Sequence, residues 1–100
     1  MFIQVEETPN PETLKFIPGM TVMEKGTAEF TSSQEAEKSP LASRIFQIGG
    51  IDRIFYGQDF ISVSKTPERE WILLKPRILG AIMENFTAKQ PLFTGAGSVS

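Results

Sequence analysis

The 100-residue sequence contains neither cysteine nor histidine. The first absence removes disulfides, thiolate nucleophiles and sulfur-ligated metals together. The second removes the commonest zinc and iron ligand and the commonest general base near neutral pH. What remains for chemistry is oxygen ligation of magnesium or calcium, or acid–base work by carboxylates and lysines. An excess of positive charge is missing as well: 10 Lys and Arg stand against 12 Asp and Glu, a net charge of −2. Without a basic field, neither nucleic acid nor an anionic membrane is an expected partner. No apolar run approaches the roughly 18 residues that cross a bilayer. The start, MFIQVEE, lacks the basic region and apolar stretch of a signal peptide, and its carboxylates argue against an organelle transit peptide.

A chain of this length is most simply one domain, able to bury somewhat more than ~60% of the surface it exposes when unfolded. Phe2 to Glu6 mixes β-formers with polar residues, and Ile3 and Val5 share a face. Pro9 and Pro11 each push the preceding residue out of the helical region, so Thr8-Pro9-Asn10-Pro11 predicts a corner. Leu14 to Ile17 resumes an extended pattern that Pro18-Gly19 closes as a turn. Met20 to Glu24 extends it further, and Thr27 to Thr31 alternates weakly as another strand. Ser32 to Lys38, small and charged, predicts a solvated loop.

The densest agreement of local signals lies between Ser39 and Lys65. Ser39-Pro40 offers an N-cap followed by proline at the first helical position. Leu41, Ile45 and Ile48 then recur at helical spacing, and Gly49-Gly50 supplies a left-handed stop. Ile51–Tyr56 and Phe60–Lys65 predict two strands joined by Gly57-Gln58-Asp59. In the second, Ile61 and Val63 face one side and Ser62 and Ser64 the other, the pattern of a sheet with one wet face. A second helix is expected from Thr66-Pro67, with Glu68 and Glu70 in its first turn, and a kink or late start at Pro76. Trp71, Leu74, Ile78, Ile82 and Phe86 cluster on its apolar side, widened by Ile72, Leu79 and Met83. It should end near Ala88-Lys89, before Pro91. The class is α+β: an antiparallel sheet of four or five strands with both helices packed on one face. Residues 1–89 form the domain, and residues 90–100, rich in Gly and Ser, predict a flexible tail or linker.

Chemistry-bearing residues are few. Asp59 at the hairpin reads as a turn residue rather than a general base. Glu6 and Glu7 are solvated carboxylates unless further ligands converge on them, and Gly95-Ala96-Gly97 lacks the strand and helix that a phosphate loop needs. Lys75 falls inside the apolar arc of the second helix. Its stem either lies on apolar surface with the ammonium reaching water, or the ammonium marks a partner-binding edge; Lys15 poses the same alternatives. Trp71 and Phe60 read as core or core-edge residues.

Residues 8–19, TPNPETLKFIPG, resemble the opening signature of the N-terminal domain of Nfu-type (NifU-like) iron–sulfur cluster scaffold proteins. The resemblance continues through Ser39-Pro40-Leu41-Ala42, residues 45–48 (IFQI), residues 51–55 (IDRIF), residues 57–65 (GQDFISVSK), Trp71 and Leu74-Lys75-Pro76, in family order. It implies a two-domain parent whose C-terminal domain, absent here, carries a Cys-x-x-Cys pair; two protomers then hold a 4Fe–4S cluster. Thiolates are the ligands of such clusters, and this sequence has none, so no cofactor is expected in this chain. The role the resemblance leaves is recognition of iron–sulfur donor or recipient proteins and presentation of the parent's own cluster domain. The setting is the bacterial cytoplasm or the mitochondrial matrix. The expected contact residues are Thr8, Pro9, Asn10, Pro11 and Lys15 with Lys75, although Asn10 and the prolines also suit a tight turn alone. A generic interaction module outside iron–sulfur assembly, and a small carboxylate–lysine enzyme, are the competing classes.

Overall fold

The computed structural model describes residues 2–89 and Leu92. Five strands, β1 (Gln4–Glu7), β2 (Thr13–Ile17), β3 (Ala28–Phe30), β4 (Ile51–Tyr56) and β5 (Ile61–Lys65), form one antiparallel sheet in the order β1-β2-β5-β4-β3. Two helices, α1 (Pro40–Ile48) and α2 (Trp71–Thr87), cover one face. The architecture is the α+β arrangement the sequence indicates.

Strand parity sorts the sheet's residues. Leu14, Phe16, Ile61, Val63, Ile54 and Tyr56 are buried on the helix side. Ile51 and Ile54 are three apart and in a regular strand would point to opposite faces. A bulge between Ile51 and Arg53 restores both to the core. On the open side, Glu6, Lys15, Ser62, Phe55 and Glu29 align as one row across all five strands. The edges are blunted: β1 carries Glu6 and Glu7, and β3 is only 3 residues long.

α1 begins and ends on the expected chemistry. The Ser39 hydroxyl accepts the Ala42 N–H at 3.3 Å and lies 2.6 Å from the Tyr56 hydroxyl in the buried core. Gly49, at φ +93°, and Gly50, at φ +78°, turn the chain out of the helix. A Cβ on Gly50 would collide with the Arg69 side chain laid across it. Residues 57–60 connect β4 to β5, so Phe60 belongs to the turn, with the Gly57 N–H donating to the Phe60 carbonyl.

Four expectations are corrected. Met20 to Glu24 is not an extension of β2 but an irregular clasp whose Val22 and Met23 N–H groups both reach the Gln58 carbonyl. Residues 32–38 are not a featureless loop: residues 35–38 make a 3-10 turn whose Ala36 is buried. There Glu35 accepts the Thr31 N–H and hydroxyl at 2.7 and 2.9 Å, bonds that hold its carboxyl below the usual range. α2 starts at Trp71 rather than Thr66, because the Thr66 N–H donates to the Gly50 carbonyl at 2.8 Å and keeps that residue tied to the strands. Glu68 therefore precedes the helix, Glu70 is its N-cap residue, and the helix runs through Pro76. Finally, Ile72 and Met83 do not join the apolar stripe: they are 79% and 40% exposed, while Asn85 is buried. The proposed tail, apart from Leu92 packed against the core, lies outside the described residues.

Candidate functional site

The corner after β1 is closed on itself by hydrogen bonds. The Thr8 hydroxyl lies 2.9 Å from the carbonyl oxygens of both Asn10 and Thr13, and accepts the Asn10 N–H at 3.2 Å. The Asn10 side-chain oxygen accepts the Glu12 N–H at 3.0 Å, an Asx-type turn, and its carbonyl accepts the Thr13 N–H. Asn10 thus fixes a tight turn. With the corner's polar groups turned inward and no N–H on either proline, the rings of Pro9 and Pro11 stand exposed.

Trp71 meets this corner from 60 residues away. Its indole Nε1–H donates to the Pro11 carbonyl at 3.0 Å and staples the first turn of α2 to the corner. Between them lies a cleft of about 220 Å³, lined by the corner residues Thr8 to Pro11 with Glu7, Thr13, Leu14 and Trp71. Metabolite pockets run roughly 300–1,000 Å³, so this one has room for a side chain or two of a partner. Its lining is mixed: Leu14, the indole and the two proline rings stand beside Glu7, Thr8, Asn10 and Thr13.

The structure divides the expected contact residues. Thr8, Pro9, Asn10 and Pro11 line the cleft. Lys75, half-buried, follows Trp71 by one helical turn, about 40° round the axis. Lys15 goes elsewhere: it stands on the open face of the sheet with its ammonium 4.4 Å from the centroid of the Phe60 ring. Phe60 in turn lies 6.0 Å from Phe55, so these two rings belong to the wet face rather than to the helix-covered core. Trp71 is the residue that sequence reasoning left out of the site. Its signal was present: it is the chain's single tryptophan and sits at the N-terminal end of the apolar stripe, where an amphipathic ring can keep one edge at the surface. Among the described residues no group of three acidic side chains converges in a way that could hold a metal ion, and no helix is long and apolar enough to cross a membrane.

An α+β domain with one helix-covered sheet face and a proline–tryptophan cleft is thus the setting for comparison with known proteins. The family described as Scaffold protein Nfu/NifU N terminal matches residues 3–89, and the chain belongs to that family. It is 50% identical over 93 residues to NifU-like protein 5, mitochondrial, of Arabidopsis thaliana, covering 93% of this chain and 34% of that protein. The human NFU1 iron-sulfur cluster scaffold homolog, mitochondrial, is 48% identical over 95 residues, which cover 94% of this chain and 37% of its own length. The chain therefore spans about a third of the length of these curated relatives. In three dimensions it resembles the solution structure of a NifU-like protein from Saccharomyces cerevisiae, with a TM-score of 0.82 over 93% of this chain and 84% of that one. At 23% identity that likeness speaks for the fold alone.

Proposed function

We propose that this domain is the recognition module of an iron–sulfur cluster scaffold, meeting donor or recipient proteins while the parent's cluster domain carries the cargo. Membership of the scaffold family, in a chain without one cysteine or histidine, is the observation that carries the reading. Iron–sulfur clusters are held by thiolates or, less often, imidazoles; a domain with neither contributes binding and not ligation. The domain is accordingly not an enzyme. A neighbouring cluster domain tethered to it would approach the bound partner at a raised effective concentration. The contact surface is the cleft of Thr8, Pro9, Asn10 and Pro11, extended by Trp71 and Lys75, with Lys15 offering a separate contact on the open sheet face. The reading suits a bacterial cytoplasm and the mitochondrial setting of the relatives' names alike.

The test is direct binding of purified iron–sulfur donor and recipient proteins to the chain, beside unrelated proteins of similar charge. Binding of the assembly proteins that weakens in Pro9→Ala/Pro11→Ala and Lys75→Ala variants with unchanged circular dichroism is the expected result. Equal binding of the unrelated proteins would make the domain a generic interaction module instead.

A further inference from the structure

α2 carries a second apolar stripe that the fold leaves uncovered. At about 100° per residue, the arc from Phe86 round to Leu73 spans roughly 140° and holds no charge. Lys75 bounds it on one side, Glu84 and Arg77 on the other. Within it Ile72, Leu73 and Met83 are 79%, 67% and 40% exposed, and Pro76, Gly80 and Thr87 are exposed as well. The arc points away from the sheet, against which Ile78 and Ile82 are fully buried. Running along 17 residues, about 25 Å, it reaches the few hundred Å² at which an exposed apolar patch marks an interaction surface.

The two halves of the strip have opposite relief. Towards the N-terminal end the side chains of Ile72, Leu73 and Pro76 stand out from the helix. Towards the C-terminal end Gly80, Met83, Glu84, Thr87 and Ala88 line a shallow, mostly apolar hollow of about 360 Å³. Gly80 has nothing within 4 Å of where a Cβ would stand, so it serves no packing inside the domain and leaves the helix backbone open to close approach. The midpoint between relief and hollow falls at Leu79 and Gly80. A second α2 turned antiparallel about that midpoint sets Ile72 opposite Thr87 and Pro76 opposite Met83, and each copy's projections meet the other's hollow. The same turn brings like flanks together, with Arg77 of one copy only about 3 Å along the axis from Glu84 of the other. Arg44 takes one Glu84 oxygen at 2.7 Å, and among the described residues Arg77 forms no ion pair within the domain.

We infer that the strip is covered by a second copy of this chain, joined through α2 in a two-fold antiparallel pair. Gly80 lies at the crossing, and the Arg77–Glu84 contact is made twice by symmetry. A foreign helix would have to reproduce both the relief and the charge order, which a second copy supplies by its own sequence. Two such strips bury less than about 1,200 Å² in total, the range of weak, reversible contacts. The pair therefore forms at high local concentration and parts on dilution. Trp71 lies roughly 130° round the helix from the strip's midline, so the cleft stays open in the pair. The recognition role proposed above is neither needed for this pairing nor altered by it.

Sedimentation equilibrium and nitrogen-15 spectra of the full chain between about 0.02 and about 2 mM test it. The expected result is a monomer–dimer equilibrium with a dissociation constant of about 0.1–1 mM and concentration-dependent amide shifts centred on α2. Ile72→Glu and Met83→Glu, each at an exposed position, should weaken the pair by about tenfold or more, because each sets a carboxylate into an apolar contact. Their circular dichroism should stay that of the parent. Charge reversal then reads the orientation. Arg77→Glu and Glu84→Lys should each weaken self-association about two- to tenfold. An equimolar mixture of those two variants should regain the original affinity, since every mixed pair holds one native and one reversed Arg77–Glu84 contact. A chain still monomeric at about 2 mM would overturn the inference. So would a dimer indifferent to Ile72→Glu and Met83→Glu, or a mixture that associates no more tightly than its separate variants.

Discussion

Tyr56 is fully buried, and burial pushes its phenol up from 10.0 to about 12, partly offset by the bond to Ser39. The neutral, protonated form is the one the fold holds. Because the folded value lies above the unfolded one, the stabilisation is complete below pH 10 and is lost as pH rises through about 12. Two units correspond to roughly 3 kcal/mol. Tyr56→Phe should cost about 1 kcal/mol at neutral pH, since the Ser39 hydroxyl keeps only the Ala42 N–H. It should also lose this steep alkaline decline; urea midpoints of both proteins at pH 8 and pH 11 give the comparison. On the open face, Gly57 lets the Phe60 ring lie against the backbone, where a Cβ would collide with it. Gly57→Ala is expected to displace the ring, break the Lys15–Phe60 contact and destabilise by roughly 1–2 kcal/mol. An unchanged melting temperature with unshifted Phe60 ring resonances would show that the ring has another place to go.

At the scale of elements, α2 shows where local chemistry is overruled. Ser39-Pro40 and Thr66-Pro67 carry the same start signal, yet only the first begins a helix. Ser39 has its hydroxyl in the core beside Tyr56, whereas the Thr66 N–H is held by Gly50 and its buried hydroxyl finds no partner. Pro76 sits within the helix on its exposed side, so the backbone N–H it lacks is missing from the flank away from the core. Gly80 is also exposed, and open space lies where an alanine methyl would stand, so it costs the helix entropy without serving the packing. Gly80→Ala should therefore raise stability by roughly 0.5–1 kcal/mol, read as a higher urea midpoint. Signals that are local in sequence, such as the Ser39 cap, the Gly49 stop and the Ile61/Ser62 alternation, were legible. The bulge at Asp52, the buried Asn85 and the exposed Ile72 were not, because each depends on a neighbour from another element. The cleft was half legible for the same reason: prolines mark the corner, but Trp71 reaches it only through the strand order that sets β2 beside β5.

For the whole molecule, the helix-covered face of the sheet holds the fold, while the open face carries the Lys15, Phe55 and Phe60 side chains. Among the described residues the core uses 17 buried apolar side chains drawn from strands, helices, the 3-10 turn and, through Val22, the clasp after β2. Every cysteine that could hold an iron–sulfur cluster would have to come from outside these 100 residues. Two outcomes follow for the isolated chain. Treatment with a chelator should leave its melting temperature unchanged, the outcome expected of a fold carried by its apolar core. Anaerobic incubation with ferrous iron and sulfide, followed by desalting, should yield neither stoichiometric iron nor the visible absorption of a cluster. Carboxylates alone, no three of which converge on a metal site among the described residues, lack the softness and the convergence that such iron requires. Stoichiometric iron and sulfide retained with a visible band would mean that oxygen ligands on this surface hold a cluster, and the separation between recognition and ligation would fail.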